Sequence, residues 1–319
     1  MKHCILGIDT SNYTTSVALV SPQGEVLAGC KRPLPVPDGS CGLRQSDALF
    51  AHTKSLPLLF ADLGEYLTDA TLLAVGVSDK PRDRAGSYMP CFLAGVSAAA
   101  AAAATARLPL FHFSHQCGHL MAAIHSARAE TLLHRPFGAF HISGGTTELL
   151  RASYADGHFA GELVGGTLDI SAGQLLDRAG VYMGLPFPCG AALERAAAQN
   201  RDPVPAVSIS HRGCYVNLSG LENKAKQLYD QTGHVPLVAA FVLAVVERAL
   251  LVMSEAFTAA YGVMPLLFAG GVMGNRLIRG ELSRRYDAFF AEPDLSSDNA
   301  VGIALLAAQR YQTEAEGHL

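Results

Sequence analysis

Short apolar runs punctuated by glycine and hydroxyl residues open the chain, and longer runs with helical spacing follow. Ile5 to Ile8 leads into Asp9-Thr10-Ser11, Thr14 to Val20 comes next, and Gly24 turns the chain into Glu25 to Gly29. These predict three strands in succession. The same figure returns from Gly138: Ala139 to Ile142, the polar turn Ser143-Gly144-Gly145-Thr146-Thr147, Glu148 to Ser153, then Asp156-Gly157 as a hairpin signal. Between the two, Ser46 to Tyr66 carries Leu49, Phe50, Leu56, Leu59, Phe60 and Leu63 at helical spacing. Leu72 to Val77 reads as a buried strand, and Met89 to Arg107 as a helix built around Ala98 to Ala104. Leu108 to Phe113 predicts a strand, and Ser114 stands at the N-cap of a helix from His115 to His125. The second half predicts helices at Ala172 to Met183, Leu193 to Gln199, Leu237 to Tyr261, Arg276 to Arg285 and Asp298 to Gln309, with a strand from Pro265 to Ala269. Alternating strands and helices give an α/β class. The repeated strand–turn–strand figure fits two related domains as well as it fits chance.

With 319 residues, half of them hydrophobic and 16% charged, the chain has material for two cores and is far from a disordered composition. Twenty-four basic residues against 28 acidic ones leave a net charge of −4. That excludes a strong general attraction for nucleic acid, so an RNA substrate would need a local patch or a partner protein. Seven cysteines without a C-x-x-C pair read as reduced thiols. No signal-peptide pattern opens the sequence, and Glu247-Arg248 interrupts the aliphatic run Leu237 to Val246. The expected setting is therefore cytoplasmic, without a membrane span.

His115-Gln116-Cys117-Gly118-His119 is the sharpest local signal. Residues four apart share a helix face, so both imidazoles can reach one cation. A zinc peptidase needs glutamate where Gln116 stands, which disfavours that chemistry. On spacing alone, metal binding and two unrelated histidines both stay open. Three glycine–hydroxyl turns suggest phosphate: Ser143 to Thr147, Gly165-Gly166-Thr167, and Gly270-Gly271-Val272-Met273-Gly274-Asn275. None matches a P-loop or opens the chain as a dinucleotide fingerprint. Asp9, Asp169, Asp177 and Asp298 suit metal or ribose contact, and equally suit helix caps.

Taken in order, Asp9-Thr10-Ser11, H-x-x-x-H, Ser143-Gly144-Gly145, Ala172-Gly173 with Asp177, Ser219-Gly220-Leu221, Ala269-Gly270-Gly271-Val272 with Asn275, and Ser297-Asp298-Asn299-Ala300 span nearly the whole chain. The series resembles the TsaD/Kae1 family, the catalytic subunits of tRNA N(6)-L-threonylcarbamoyladenine synthases, long filed as glycoproteases. The resemblance implies an actin-like ATPase (ASKHA) fold: two RNase-H-like domains with a nucleotide and metal cleft between them. The domains are expected at 1–108 plus 296–319 and at 109–295. It implies His115, His119 and Asp298 as ligands of a divalent metal (iron or zinc, with manganese and magnesium open), and Asp9 and Ser143 as catalytic residues. Ser143, Gly144 and Gly145 would meet the phosphates of ATP or threonylcarbamoyl-AMP, Asp177 and Gly190 the adenosine, and Asn275 the same ligand. The implied reaction is metal-dependent transfer of threonylcarbamoyl from threonylcarbamoyl-AMP to N6 of adenosine-37 in tRNAs reading codons that begin with A. The implied partners are tRNA, a paralogous TsaB-like scaffold subunit, a TsaE-like P-loop ATPase and the enzyme that makes the adenylate; a dimer is left open.

Departures from the family pattern are also visible. The opening G-I-E-T-S-C-D-E-T becomes Gly7 to Thr15 with Asp9, Tyr13 and Thr14; H-x-E-G-H has Cys117; S-G-L-K has Glu222, with Lys224 and Lys226 close by. Gly42 to Ser46 and Lys80 to Met89 also differ from the family's loops. These keep two rivals in view: a carbamoyl or phosphoryl transferase with a small-molecule acceptor, and a non-catalytic nucleotide-binding scaffold.

Overall fold

Strand β1 (Lys2–Ser11) is buried continuously from Cys4 to Ser11, as a strand covered on both faces must be. In this computed structural model, which describes residues 2–11, 13–35, 43–292 and 299–316, β1 is the centre of a five-stranded sheet. Antiparallel neighbours β2 (Thr14–Val20) and then β3 (Val26–Pro33) lie on one side. Parallel neighbours β4 (Ala70–Lys80) and then β5 (Leu110–Ser114) lie on the other, giving the order β3-β2-β1-β4-β5. Helices α1 (Gln45–Leu67) and α2 (Phe92–Ala106) bury Leu56, Leu59, Leu63, Ala99 and Ala103 in the same core as Ile8, Val17 and Val75. Helix α3 (His115–Ser126) packs against α9 (Asn299–Glu316). Their crossing depends on glycine, because a Cβ on Gly302 would stand on the carbonyl oxygen of Gly118.

The second unit holds a seven-stranded sheet in the order β12-β11-β6-β7-β8-β10-β9. Its strands are β6 (Phe137–Ile142), β7 (Thr147–Ala155), β8 (His158–Thr167), β9 (Ser210–Arg212), β10 (Cys214–Asn217), β11 (Leu266–Ala269) and β12 (Ala288–Phe290). Within it β8-β7-β6-β11-β12 repeats the order β3-β2-β1-β4-β5. In both sets the first strand in sequence runs antiparallel to the second and parallel to the fourth, and the fourth parallel to the fifth. A shared topology of five strands, and not a chance pair of hairpins, underlies the repeated sequence figure. Helices α4 (Ala172–Tyr182), α5 (Gly190–Ala197), α6 (Ser219–Thr232), α7 (Val235–Tyr261) and α8 (Arg276–Arg285) complete this unit. By length and hydropathy α7 could cross a bilayer, and it runs through Glu247-Arg248 without a break. Val238, Val242, Val245, Val246, Met253 and Phe257 nevertheless lie in the core cluster of this unit, so it is a core helix.

Two expectations need correction. The first unit is not confined to 1–108 and 296–319: it comprises Met1–Ser126, Tyr154–Ala160 and Asp294–Leu319. The reason is that β5 pairs with β4 and α3 packs on α9, so the histidine helix belongs with the first sheet. Residues 154–160 are held there by Tyr154, whose hydroxyl donates to Gln309 Oε1 (3.3 Å), and by Arg310, which donates to the Asp156 carbonyl (3.1 Å). Second, Gly165-Gly166-Thr167 is no turn. It is the end of β8, paired in parallel register with Cys214, Tyr215 and Val216. Its glycines serve close backbone approach, since a Cβ on Gly166 would lie 2.7 Å from the Thr147 carbonyl oxygen.

Candidate functional site

Strand β1 ends in the first unit's expected acid. Asp9 is 1% exposed, and a carboxylate so buried is stable only if its oxygens are hydrogen-bonded. Ser11 Oγ donates to Oδ2 (2.7 Å), Ser78 Oγ at the end of β4 donates to Oδ1, and His115 Nδ1 lies 3.0 Å from Oδ1. Burial alone would raise the carboxyl pKa. The His115 charge and the bonds from His115, Ser78 and Ser11 outweigh it and hold Asp9 down at about 2.

His115 and His119, one turn apart on α3, have ring centroids 4.5 Å apart. In the neutral ring, a hydrogen bond from His115 Nδ1–H to the carboxylate leaves the Nε2 lone pair directed away from Asp9, the arrangement in which metal-binding imidazoles are found. Two partly exposed imidazoles on one helix face, one of them oriented by a carboxylate, fit a divalent cation as donors. Among the described residues no three acid, histidine or cysteine side chains close on one point. The third expected ligand, Asp298, lies outside the described residues, as do Ser296 and Ser297.

The second unit brings together most of the residues expected at the nucleotide. The turn Ser143 to Thr146 sits at the C-terminal end of β6, where parallel strands present ligand sites. Ser143 N–H donates to the Thr146 carbonyl (2.8 Å), and Thr146 N–H donates to Ser143 Oγ (3.1 Å). The Ser143 hydroxyl thereby serves as an acceptor and keeps its own proton to donate. Gly144 and Gly145 are exposed, with open space where side chains would stand. The N-terminus of α4 lies against this turn: Ser171 Oγ donates to the Gly144 carbonyl (2.8 Å), and a Cβ on Gly173 would collide with the Ser143 oxygen. Ser171 caps α4 in a reciprocal box with Gln174.

On the next turns of α4, Asp177 Oδ1 accepts from Cys189 N–H (2.8 Å) just before Gly190 opens α5, so Asp177 and Gly190 are neighbours. Asn275 is buried, and its Oδ1 accepts from Leu277 and Ile278 N–H (3.1 Å each) as the N-cap of α8. The following amide, Arg276 N–H, donates to Glu194 on α5 (3.0 Å). Asp169 proves to be a cap, accepting from Leu218 and Ser219 N–H at the start of α6.

The departures have local explanations. Glu222 on α6 is 6% exposed and is met by Lys226 Nζ and, at 3.4 Å, by Arg178 Nη1, so cationic side chains surround the reversed charge. These residues, with Asp177, Val181, Tyr182 and Phe187, line a cavity of about 570 Å³. Cys117 is 2% exposed and faces away from solvent. Burial, then its hydrogen bond to Asp83, pushes its thiol up to about 12, so it is no nucleophile. Tyr13 is exposed, and Thr14 opens β2, paired with Ser11 of β1 on one side and Pro33 of β3 on the other. Sequence reasoning missed Asp83 and His52, which carry no motif: one sits in a charged loop and the other at a buried position of α1.

A family model described as TsaD: tRNA N6-adenosine threonylcarbamoyltransferase matches residues 52–305. Proteins named tRNA N6-adenosine threonylcarbamoyltransferase from Streptococcus suis (strain 05ZYH33) and Methanopyrus kandleri are 30% and 28% identical to this chain. The matches cover 97% and 94% of this chain, and 93% and 85% of the two relatives. Among solved structures, component A of (R)-2-hydroxyglutaryl-CoA dehydratase from Acidaminococcus fermentans aligns with a TM-score of 0.54 at 14% identity, over 97% of this chain and 99% of that one. A ROK family glucokinase from Streptomyces griseus, in complex with glucose and AMPPNP, aligns at 0.52 and 13%, with the same coverage. At such identities the likeness speaks to the fold, which is the actin-like ATPase fold. With a family match over most of its length and a full-length relative at 30% identity, the chain belongs to the TsaD family, tRNA N6-adenosine threonylcarbamoyltransferase.

Proposed function

We propose that this chain moves the threonylcarbamoyl group of threonylcarbamoyl-AMP onto N6 of adenosine-37 in tRNAs that read codons beginning with A. The observation that carries the reading, in a member of this family, is the pair of imidazoles on α3 with His115 bonded to buried Asp9. The transfer breaks the bond from the carbamoyl carbon to the phosphate oxygen, forms the bond from that carbon to N6, sheds one N6 proton and releases AMP.

In this reading His115, His119 and Asp298 hold a divalent metal, iron or zinc being the best suited to such a donor set. When bound, that ion supplies Lewis acidity toward a carbonyl or phosphate oxygen. Asp9 acts through His115, because it is 1% exposed and His115 is among the groups its oxygens meet. It fixes the ring and its tautomer. The Ser143-Gly144-Gly145 turn receives phosphate oxygens: the glycines let the backbone approach an anion, and the Ser143 hydroxyl has a proton to donate. Asp177, Gly190 and Asn275 shape the adenosine end. There the Asp177 and Asn275 oxygens, by capping α5 and α8, hold the surrounding backbone still.

A net charge of −4 supports dependence on partners for tRNA, and the family suggests a TsaB-like scaffold, a TsaE-like ATPase and the enzyme that makes the adenylate. Cys4, Cys117, Cys189 and Cys214 carry free thiols, in keeping with a reducing cytoplasm. The compensated surroundings of Cys117 and Glu222 remove the main motive for a different acceptor. The test supplies threonylcarbamoyl-AMP, partners and unmodified tRNA to the purified protein and measures the modified nucleoside by mass spectrometry. Product well above a His115→Ala/His119→Ala control is expected, and equal yields would sink the proposal.

A further inference from the structure

The histidine-bearing turn is held from a second side by the loop after β4, in the stretch Lys80 to Met89 that departs from the family's pattern. Residues 81–91 connect β4 to α2, and Asp83 reaches from this loop to the first turn of α3. Its Oδ2 accepts from Ser114 Oγ (2.8 Å) and from the Cys117 thiol (2.8 Å). The same Ser114 oxygen accepts from Cys117 N–H (3.2 Å), which is the N-cap bond of α3. Gln116 N–H donates to the Pro81 carbonyl (3.1 Å), and Lys80 Nζ lies 3.2 Å from Asp83 Oδ1. The residues before, after and two beyond His115 are thus all tied to one short loop. Ser114 is fully buried and Cys117 nearly so, so neither finds a substitute in solvent.

We propose that Asp83 is a positioning residue for His115 and His119, supplying from the loop the carboxylate that the family's H-x-E-G-H motif carries at the position of Cys117. Where the family motif has an acid on the helix, this chain has a thiol small enough to leave room, and the space is occupied by an acid from the facing loop. Loss of the Asp83 carboxylate leaves the Ser114 hydroxyl with only the Cys117 sulfur (3.2 Å) and the Cys117 thiol with only the Phe159 carbonyl (3.8 Å) as acceptors, loosens the N-cap and lets the first turn of α3 rotate. The paired imidazoles then lose their common direction.

The inference rests on the proposed metal reading and is tested with Zn2+ as the probe, by competition against a chromophoric chelator, on four proteins: wild type, Asp83→Ala, Cys117→Glu and the double variant. Groups that orient metal ligands typically account for about 10- to 100-fold in affinity, so Asp83→Ala should weaken Zn2+ binding about tenfold or more. Cys117→Glu alone sets two carboxylates against each other and should also weaken it. The double variant, with its acid returned to the helix, should recover to within about threefold of wild type, a rescue that simple loss of stability cannot produce. Asp83→Asn, which keeps shape and one acceptor oxygen, should fall between wild type and Asp83→Ala. Unchanged affinity in Asp83→Ala, or a double variant no better than the worse single one, overturns the proposal and leaves the metal reading standing. Wild-type protein that does not bind Zn2+ overturns both.

Discussion

His52 offers a prediction about folding that the motifs do not contain. It sits fully buried on α1, with Thr15 Oγ1 of β2 at 2.8 Å from its Nδ1, while its Nε2 meets no hydrogen-bonding group. A neutral imidazole has one donor and one acceptor, so Thr15 uses one and the other is bare. Protonation would add a second N–H and a charge at a buried point. Burial therefore pulls His52 from 6.5 down to about 4, with the charge of Asp9 offsetting only part. As pH falls below 6.5 the unfolded chain takes up a proton that the folded chain refuses until about 4. The neutral form's contribution to stability is complete above 6.5 and is lost across that window. One proton corresponds to about 1.4 kcal/mol per pH unit, so the loss should reach about 3 kcal/mol near pH 4. Urea unfolding of wild type and His52→Gln, in steps from about pH 7.5 to 4.5, isolates this group, because other titrations are shared and cancel in the difference. The variant keeps a polar partner for Thr15 but does not titrate. Wild type should lose about 2.5 kcal/mol more than the variant over that range. A difference that stays flat with pH would refute the reasoning.

Gly302→Ala should cost at least about 1–3 kcal/mol in urea unfolding, because its methyl group would stand on the Gly118 carbonyl oxygen where α3 crosses α9. An unchanged midpoint would mean that the helices do not meet there. Gly173→Ala should weaken binding of a non-hydrolysable ATP analogue by pushing the Ser143-Gly144 turn off α4, whereas Gly280→Ala, with open space around it, should not. Equal affinities by calorimetry would remove that turn from the nucleotide site. Cys117, with its thiol raised to about 12, should resist iodoacetamide in the native protein and react only in urea, as peptide mapping would read. Native labelling at Cys117 would contradict its burial.

Periodicity was enough where one sheet face or helix stripe decides the element. Thr14–Val20 and Arg276–Arg285 end where the sequence predicts, and α3 begins at the predicted cap, Ser114. It failed where glycine serves packing instead of turning. Gly165-Gly166 looks like a phosphate turn in sequence because the same lack of a Cβ suits both uses, and only the partner strand β10 tells them apart. The domain boundary failed for a related reason: Leu108 to Phe113 reads as a strand, but which sheet it joins is a long-range choice. In the candidate site, His115, His119 and Asp9 were legible because short spacing or a strand end placed them. The contact between Asp177 and Cys189 and that between Asp83 and Cys117 join elements that sequence distance gives no reason to pair.

The departures from the family pattern, read one at a time, suggested a lost acceptor chemistry; read with their neighbours they divide differently. Cys117 and Glu222 are both buried, and each has charged partners close at hand: Asp83 with Lys80 for the first, Lys226 with Arg178 for the second. A buried site cannot tolerate an unmatched polar change, because an unpaired buried charge costs several kcal/mol while a matched pair is nearly neutral. At such positions a changed residue has to be matched by its neighbours, as both are here. Tyr13 stands well exposed in the turn between β1 and β2, and Thr14 is the first residue of β2. Solvent can match a surface change unaided. A difference in what this chain binds beyond its reacting groups should therefore be sought at Tyr13 and Thr14, and not at the thiol inside the histidine motif.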